Sequence, residues 1–96
     1  MTNFNGYTNY ETWNFVNWEL DYLQEVIQDL QDQTYDKLEY GQVYEVVNGH
    51  LDQIIESQEL PTTGFLGDIV GNAISSIDIH QIATNIHEEL EFEEIE

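Results

Sequence analysis

Cysteine is absent from this sequence of 96 residues, which excludes disulfide bonds and thiolate metal sites. Basic residues are nearly absent as well: Lys37 is the only Lys or Arg, against 20 acidic residues, and the formal net charge is −19. The N-terminal residues carry no basic segment and no apolar run, so no signal peptide is expected. No stretch approaches the roughly 20 apolar residues that span a membrane. We therefore predict a cytoplasmic location.

The excess of acidic residues is the outlying property of the composition. Self-repulsion at this charge density destabilises a compact state, and designed small domains usually carry a net charge of only about 2–8. We therefore expect the charge to have a use, such as binding a positively charged partner. Direct contact with nucleic acid or with an anionic membrane is not expected, because both repel an acidic surface. Adaptation to high salt is the alternative explanation.

The apolar residues are sufficient for a folded core and follow a helical period. The spacing predicts an all-α fold, a single-domain bundle of about four helices over residues 1–96 with an acidic surface. Thr8 and Glu11 match a capping box, and helix 1 is predicted over about 9–31. Its apolar residues follow at steps of three and four, namely Trp13, Val16, Leu20, Leu23, Ile27 and Leu30. We expect residues 1–8 to form an N-terminal arm and residues 91–96 an acidic tail.

A second helix is predicted in the middle of the chain. Thr34 is a plausible N-cap, and a helical period of apolar residues continues from there to Leu60. Gly41 lowers the helix propensity and favours a kink or a split at that point. Pro61 is predicted to end the helix, since it cannot continue one.

Two shorter helices are predicted after Pro61. Helix 3 is expected over about 63–76, and its glycines Gly67 and Gly71, one turn apart, suggest a close approach to another helix. Asp78 is expected to cap helix 4.

Six aromatic residues lie close together near the N-terminus: Tyr7, Tyr10, Trp13, Phe15, Trp18 and Tyr22. One interpretation is that they pack in the core and form an aromatic rim around it. The other is an exposed aromatic patch that binds a partner or forms the seam of a homodimer.

The sequence carries no motif that indicates catalysis. It has no glycine-rich phosphate loop followed by Lys, no G-x-S-x-G motif and no EF-hand pattern. His80 and His87 are seven positions apart, about 10 Å along a helix, which is too far for both to bind one zinc ion. They are interpreted as polar residues at a helix boundary or surface. We predict a protein that is not an enzyme and that uses no cofactor and no metal.

Acidic residues recur at helical spacing on the first two predicted helices. Neighbours three or four positions apart lie about 5–6 Å from each other, where like charges destabilise a helix by a few tenths of a kcal/mol. An ordinary solvated face alternates Glu with Lys instead. Rows of carboxylates on helices approximate a phosphate backbone, which a basic nucleic-acid-binding cleft would recognise. The predicted partner-binding residues are Glu19, Asp21, Glu25, Asp29, Asp32, Asp36, Glu39, Glu45, Asp52, Glu56 and Glu59. A merely soluble or salt-adapted acidic face is the alternative.

The segment Asn9-Tyr10-Glu11-Thr12-Trp13-Asn14 resembles a group of small proteins encoded by bacteriophages, plasmids and other mobile elements. Members commonly open with N-Y-E-T-W-N followed by an apolar run. Residues 65–74 and 79–83 are similar to a later apolar segment and helix of that group, while the middle of the chain is unmatched. This sequence departs from the pattern at Asn17, where an apolar residue is usual, and at Ile79, where a Trp is usual. The resemblance implies a mobile-element origin and a small helical fold, and it implies no active site.

Inhibition of a host defence system is the leading functional hypothesis, by analogy with antirestriction and anti-CRISPR proteins that mimic DNA. We predict a non-catalytic inhibitor that acts in the host cytoplasm. Its predicted partner is a basic nucleic-acid-binding host protein, either a CRISPR effector or a restriction enzyme. One alternative is a structural or accessory protein that assembles through its apolar and aromatic face. A small hydrolase or a metal-dependent enzyme is another.

Overall fold

A computed structural model describes residues 6–90, which form four helices and no β-strand. The helices are α1 (Tyr10–Asp32), α2 (Tyr40–Ser57), α3 (Gly64–Ser76) and α4 (Ile79–Glu89). The all-α prediction is confirmed, and the predicted bounds of helices 1 and 3 agree with the structure to within one residue. The acidic tail predicted at 91–96 and the first five residues of the predicted arm lie outside the described residues.

The hydrophobic core lies between α1, α2 and α4. Leu23 and Ile27 of α1 and Val43 and Val47 of α2 are fully buried, and Ile82 of α4 is 1% exposed. On each helix these residues are three, four or seven positions from another buried residue, so each helix buries one face. Burial stabilises the fold by about 1.5–3 kcal/mol for each such side chain. Among the helix pairs, α2 and α4 pack most extensively.

Helix α1 is capped by Asn9 rather than by Thr8, so the predicted capping box is wrong. The Asn9 Oδ1 accepts a hydrogen bond from the backbone amide of Thr12 at 2.9 Å. Thr8 instead reaches α4: its amide donates to Oε1 of Gln81 at 2.8 Å, and its hydroxyl donates to Oδ2 of Asp78 at 2.9 Å. Asn and Thr are both good N-cap residues, and this long-range contact decides between them.

The predicted start of helix 2 at Thr34 is also wrong, because α2 begins at Tyr40 after a loop over residues 34–39. Gln31, a 2% exposed residue of α1, holds this loop. Its side-chain NH2 group donates to a backbone carbonyl of the loop at 3.0 Å, and its side-chain carbonyl accepts from the Leu38 amide at 2.8 Å. Since Leu38 is itself 2% exposed, the loop is tied to the core instead of extending the helix.

The glycines have roles different from those predicted. The helix runs unbroken through Gly41, and the interruption expected there lies before Tyr40. A Cβ on Gly67 would lie 2.7 Å from the carbonyl carbon of Thr62, so the close approach is to the preceding loop and not to another helix. Gly71 has open space around its Cβ position.

Helix α4 is capped by Asp78, as predicted. The Asp78 Oδ1 accepts from the Gln81 amide at 3.0 Å. This hydrogen bond, with that from the Thr8 hydroxyl and the proximity of His80, holds the pKa of Asp78 below its ordinary value despite partial burial. None of the helices within residues 6–90 is long and apolar enough to cross a membrane.

Candidate interaction surfaces

The acidic residues of α1 form a row on the side of the helix that faces away from the core. Asp21, Glu25, Asp29 and Asp32 are all exposed. They are three or four residues apart, which places the Cβ atoms of neighbouring acids about 5–6 Å from each other. The helical backbone holds this row, so its charges keep a fixed order and spacing.

Most other predicted partner-binding acids are exposed as well. On α2 they recur on the face opposite to the one that buries Val43 and Val47. The exposed acids outside α1 are Asp36, Glu39, Glu45, Asp52, Glu56 and Glu59. Two of the predicted partner-binding acids take part in local hydrogen bonds. The backbone amide of Glu39 donates to Oε1 of Gln42 at 2.8 Å, and the Asp32 carboxylate at the end of α1 accepts from the Gln28 side chain at 3.1 Å.

Glu19 differs from the other predicted partner-binding acids because it is half-buried and paired. Its Oε1 lies 2.6 Å from Nε2 of His50, and the two side chains are 26% and 15% exposed. A carboxylate oxygen accepts, so the His50 Nε2 carries the proton and donates it. The Tyr22 ring stacks on the His50 ring with centroids 4.8 Å apart. Glu19 therefore links α1 to α2, a role that its helical spacing did not indicate.

The charge of the remaining acids is not compensated. Within residues 6–90 the one acidic side chain within 4 Å of a Lys, Arg or His nitrogen is Glu19, which contacts His50. Lys37, the single basic residue, is exposed in the loop between α1 and α2 and forms no ion pair with the described part of the chain. The two helical rows thus present a dense negative surface on a packed scaffold.

The N-terminal aromatic residues divide between core and surface. Phe15 is buried, and Tyr7 and Trp13 are half-buried. Trp18 is the most exposed aromatic residue of the cluster, with 78% of its surface accessible. The other exposed members are Tyr10 and Tyr22.

A second surface, the α3 groove, is an apolar groove between α1, α2 and α3 with a volume of about 470 Å³. Its walls include Phe15 and Trp18 of α1, Leu51 and Ile55 of α2, and Val70 of α3. Helix α3 has no buried residue, and it makes contacts with α1 but not with α2 or α4. Sequence reasoning missed this surface because a helical period of apolar residues is equally typical of a core helix.

Polar residues around the N-Y-E-T-W-N segment bind the junction between α3 and α4. The Asn9 Nδ2 donates to the carbonyl of Ser76 at 2.7 Å. The Thr12 hydroxyl, which is fully buried, donates to Asn9 Oδ1 at 2.7 Å and accepts from the Asp78 amide at 2.8 Å. The segment therefore joins two ends of the chain, which explains its polar residues structurally.

The histidines of α4 make local contacts. His80 Nδ1 is in hydrogen-bond contact with the Tyr40 hydroxyl of α2. His87 Nε2 donates to the carbonyl of Leu38 at 2.8 Å, which secures the loop before α2. No group of three His, Cys, Asp or Glu side chains in the described residues is arranged to hold a metal ion.

No model of a known protein family matches the chain, and no curated protein and no solved structure matches it. The acidic rows and the α3 groove are therefore the two features from which function is inferred.

Proposed function

We propose that this chain is a non-catalytic inhibitor, encoded by a bacteriophage or another mobile element, that mimics the charge of nucleic acid. It occupies the nucleic-acid-binding surface of a host defence protein of the kind that antirestriction or anti-CRISPR proteins block. The observation that carries the proposal is the pair of exposed, uncompensated carboxylate rows on packed helices. The mobile-element origin is supported by the N-Y-E-T-W-N resemblance.

The physical basis is the similarity between a rigid row of carboxylates and a phosphate backbone. DNA carries a layer of condensed counterions. A basic cleft that binds the DNA releases them, and this release favours binding. A protein that carries a net charge of −19 presents a comparable polyanion to the same cleft. The long-range field also steers association, so binding is fast at low ionic strength and falls as salt is added.

The test is competition between this chain and duplex DNA for a captured partner. The chain is immobilised and exposed to a bacterial lysate at about 50 mM and about 200 mM salt, a range over which DNA-binding proteins lose about 10³–10⁵ in affinity. We expect nucleic-acid-binding proteins to be retained at the lower salt and released by excess duplex DNA. Retention that is insensitive to both salt and DNA contradicts the mimicry proposal.

A pair of matched charge variants locates the binding surface. The first replaces Asp21, Glu25 and Asp29 of α1 by Lys. The control replaces Asp68, Glu88 and Glu89 by Lys; these acids are exposed but lie outside both rows. Because the change in net charge is identical, loss of binding in the first variant alone assigns the site to the α1 row. Equal loss in both variants indicates a non-specific effect of net charge and contradicts a defined surface.

Assembly through an apolar face is a second candidate function, and the exposure of α3 favours it. Phe65 is 77% exposed, Leu66 60% and Ile69 49%. High salt screens the repulsion between copies, so a protein that assembles with itself would form a stable oligomer at high salt. Sedimentation velocity at about 1 M NaCl, where the Debye length is about 3 Å, separates this candidate from the inhibitor.

A further inference from the structure

Exposed apolar side chains are concentrated on one part of the molecule, around the N-terminal half of α3. Phe65, Leu66 and Ile69 occupy the first two turns of this helix, and each is at least 49% exposed. Trp18 is 78% exposed and lines the α3 groove from the side of α1. Trp18 and Ile69 both line the groove, and exposed apolar patches of this kind on a highly charged protein mark binding surfaces.

The walls of the α3 groove come from three helices, and one of them, α3, has 13 residues, about 20 Å in length. Toward its C-terminal end α3 is held by Ile74 and Ile77, which pack against the core. Its N-terminal half extends past that contact, and a partner helix would find anchor sites along the exposed turns.

The charges around the groove select its occupant. Glu11 and Glu19 are among the groove-lining residues. Asp21 lies one turn from Trp18, and Asp52 lies one turn from Ile55, so both are next to the groove walls. The single Lys of the chain is far along the sequence, in the loop before α2, and it is not among the groove residues.

Where salt does not screen the repulsion, a second copy of the chain is a poor occupant on these grounds. It would bring another formal charge of −19. It would also place its own acidic rim, the acids Glu11, Glu19, Asp21 and Asp52 around the groove, against that of the first copy. Like charges opposed at an interface disfavour association. Lys or Arg residues at the edges of an apolar helix face would instead meet Glu11, Asp21 and Asp52.

We infer that the α3 groove binds an amphipathic helical segment of a partner protein, with apolar anchors on one face and Lys or Arg beside them. The inference does not rest on the nucleic-acid mimicry, because the apolar groove and a different ligand chemistry carry it. Asp21 and Asp52 belong both to the acidic rows and to the edge of the groove. Trp18 is the central anchor contact, and the acidic rim fixes the sign of the ligand's flanking charges.

The probe is a synthetic peptide of about 14 residues, as long as α3 when helical. It carries Leu at helical spacing and Lys at the other positions. A peptide with the same composition in scrambled order and a Leu/Glu peptide serve as ligand controls. Binding is followed by the blue shift of tryptophan fluorescence and by calorimetry, in salt high enough to screen contacts between exposed charges. We expect the amphipathic Leu/Lys peptide to bind at least about tenfold more tightly than either control.

Two exposed-residue variants test the location. Ile69 lines the groove, and Leu66 lies three positions before it on α3, so Leu66→Gln combined with Ile69→Gln removes exposed apolar surface at this end of the groove. Leu30→Gln combined with Tyr35→Gln changes exposed residues away from the groove. Far-UV circular dichroism and thermal unfolding establish that each variant is folded. We expect the first variant to lose about tenfold or more in peptide affinity, and the second to bind as the parent does.

Three outcomes overturn the inference. Equal binding of the scrambled peptide shows attraction by charge alone. Unchanged affinity in the Leu66/Ile69 variant shows that the groove is not the site. Concentration-dependent dimerisation of the parent chain that this variant abolishes identifies a second copy as the occupant. None of these results bears on duplex DNA competition, so failure here is distinguishable from failure of the inhibitor proposal.

Discussion

The hydroxyl of Thr12 accepts a hydrogen bond from the backbone amide of Asp78 at 2.8 Å, across 66 positions of sequence. This bond joins the first turn of α1 to the N-cap of α4. Thr12 is fully buried, so its hydroxyl has no water as a substitute partner. The polar frame of the N-Y-E-T-W-N segment therefore fixes the relative positions of α1 and α4, on which the core between them depends.

Removal of this hydroxyl is expected to destabilise the fold. Thr12→Val keeps the shape of the side chain but leaves the Asp78 amide without its acceptor, at a cost of about 1–3 kcal/mol. Thr12→Ser keeps the hydroxyl and serves as the control. Urea unfolding measures the cost, and amide hydrogen exchange measures the bond itself. We expect faster exchange of the Asp78 amide in Thr12→Val only; unchanged exchange would show that the bond does not protect it.

The core contribution of α1 is expected to differ sharply between two of its leucines. Leu23 is fully buried, and Leu23→Ala should lower the free energy of unfolding by about 2–5 kcal/mol. Leu30 is 37% exposed near the end of the same predicted apolar face, so Leu30→Ala should cost much less. Because both variants make the same chemical change on the same helix, the difference between their losses in unfolding free energy measures the effect of burial. Equal losses in thermal or urea unfolding would contradict the described packing of α1.

The periodicity of apolar residues was sufficient to predict four helices and the burial of Val16, Leu23 and Ile27 on α1. Trp13 and Leu20 of the same predicted face are half-buried, and Leu30 is exposed. It was insufficient where a distant side chain decides a local choice. Thr8 and Asn9 are both suitable caps, and only the contact of Thr8 with α4 selects Asn9. Thr34 is a suitable N-cap, and only the buried Gln31 side chain explains why residues 34–39 form a loop instead of the start of a helix.

The candidate surfaces could be predicted to different extents, because some of them depend on contacts between residues that are distant in sequence. Exposure of the acidic rows follows from their placement opposite the apolar face of each helix. Glu19 has the spacing of those rows, but its partner His50 is 31 positions away, so its pairing could not be anticipated. The α3 groove depends on how closely α1 and α2 approach the apolar face of α3, which a helical period does not specify.

Acid is expected to remove the stabilisation that the ionised Asp78 gives to α4. Hydrogen bonds hold the pKa of this carboxyl below its ordinary value in the folded chain. The stabilisation is therefore fully present above about pH 4, the ordinary range of an aspartate, and is lost as pH falls through the folded pKa. Asp78→Asn retains a capping acceptor without the charge.

The measurement is the difference in unfolding free energy between the parent and Asp78→Asn at each pH. All other acids are common to both proteins and cancel in this difference. We expect the parent's advantage to be constant near neutral pH and to shrink in acid. A difference that stays constant down to about pH 2 would contradict the lowered pKa.

Added salt is expected to stabilise the protein near neutral pH. Repulsion among the exposed acids destabilises the compact state, and salt screens it. We expect the melting temperature to rise between low salt and about 1 M NaCl, with a smaller rise for the Asp21/Glu25/Asp29→Lys variant because its net charge is lower. Sodium chloride is preferred over sulfate, which also strengthens apolar burial. A melting temperature that does not change with salt would contradict crowding of the acidic rows.

Alanine substitutions at the two inner glycines of α3 are expected to act in opposite directions. Both replace Gly by Ala within a helix, which alone stabilises by about 0.5–1 kcal/mol. At Gly71 the new Cβ meets open space, so this gain should appear in full. At Gly67 the Cβ would lie 2.7 Å from the Thr62 carbonyl carbon. This atom belongs to the backbone, so the loop or the start of α3 must shift.

We therefore expect Gly71→Ala to raise the melting temperature and Gly67→Ala to lower it. Gly67→Ala should also weaken binding of the amphipathic peptide, because the displaced first turns of α3 carry Phe65, Leu66 and Ile69. Gly71→Ala, which leaves α3 in place, is the control for that loss. Stabilisation by both substitutions would show that the loop at Thr62 shifts at little cost in free energy. In that case the loop does not set the position of the α3 groove wall.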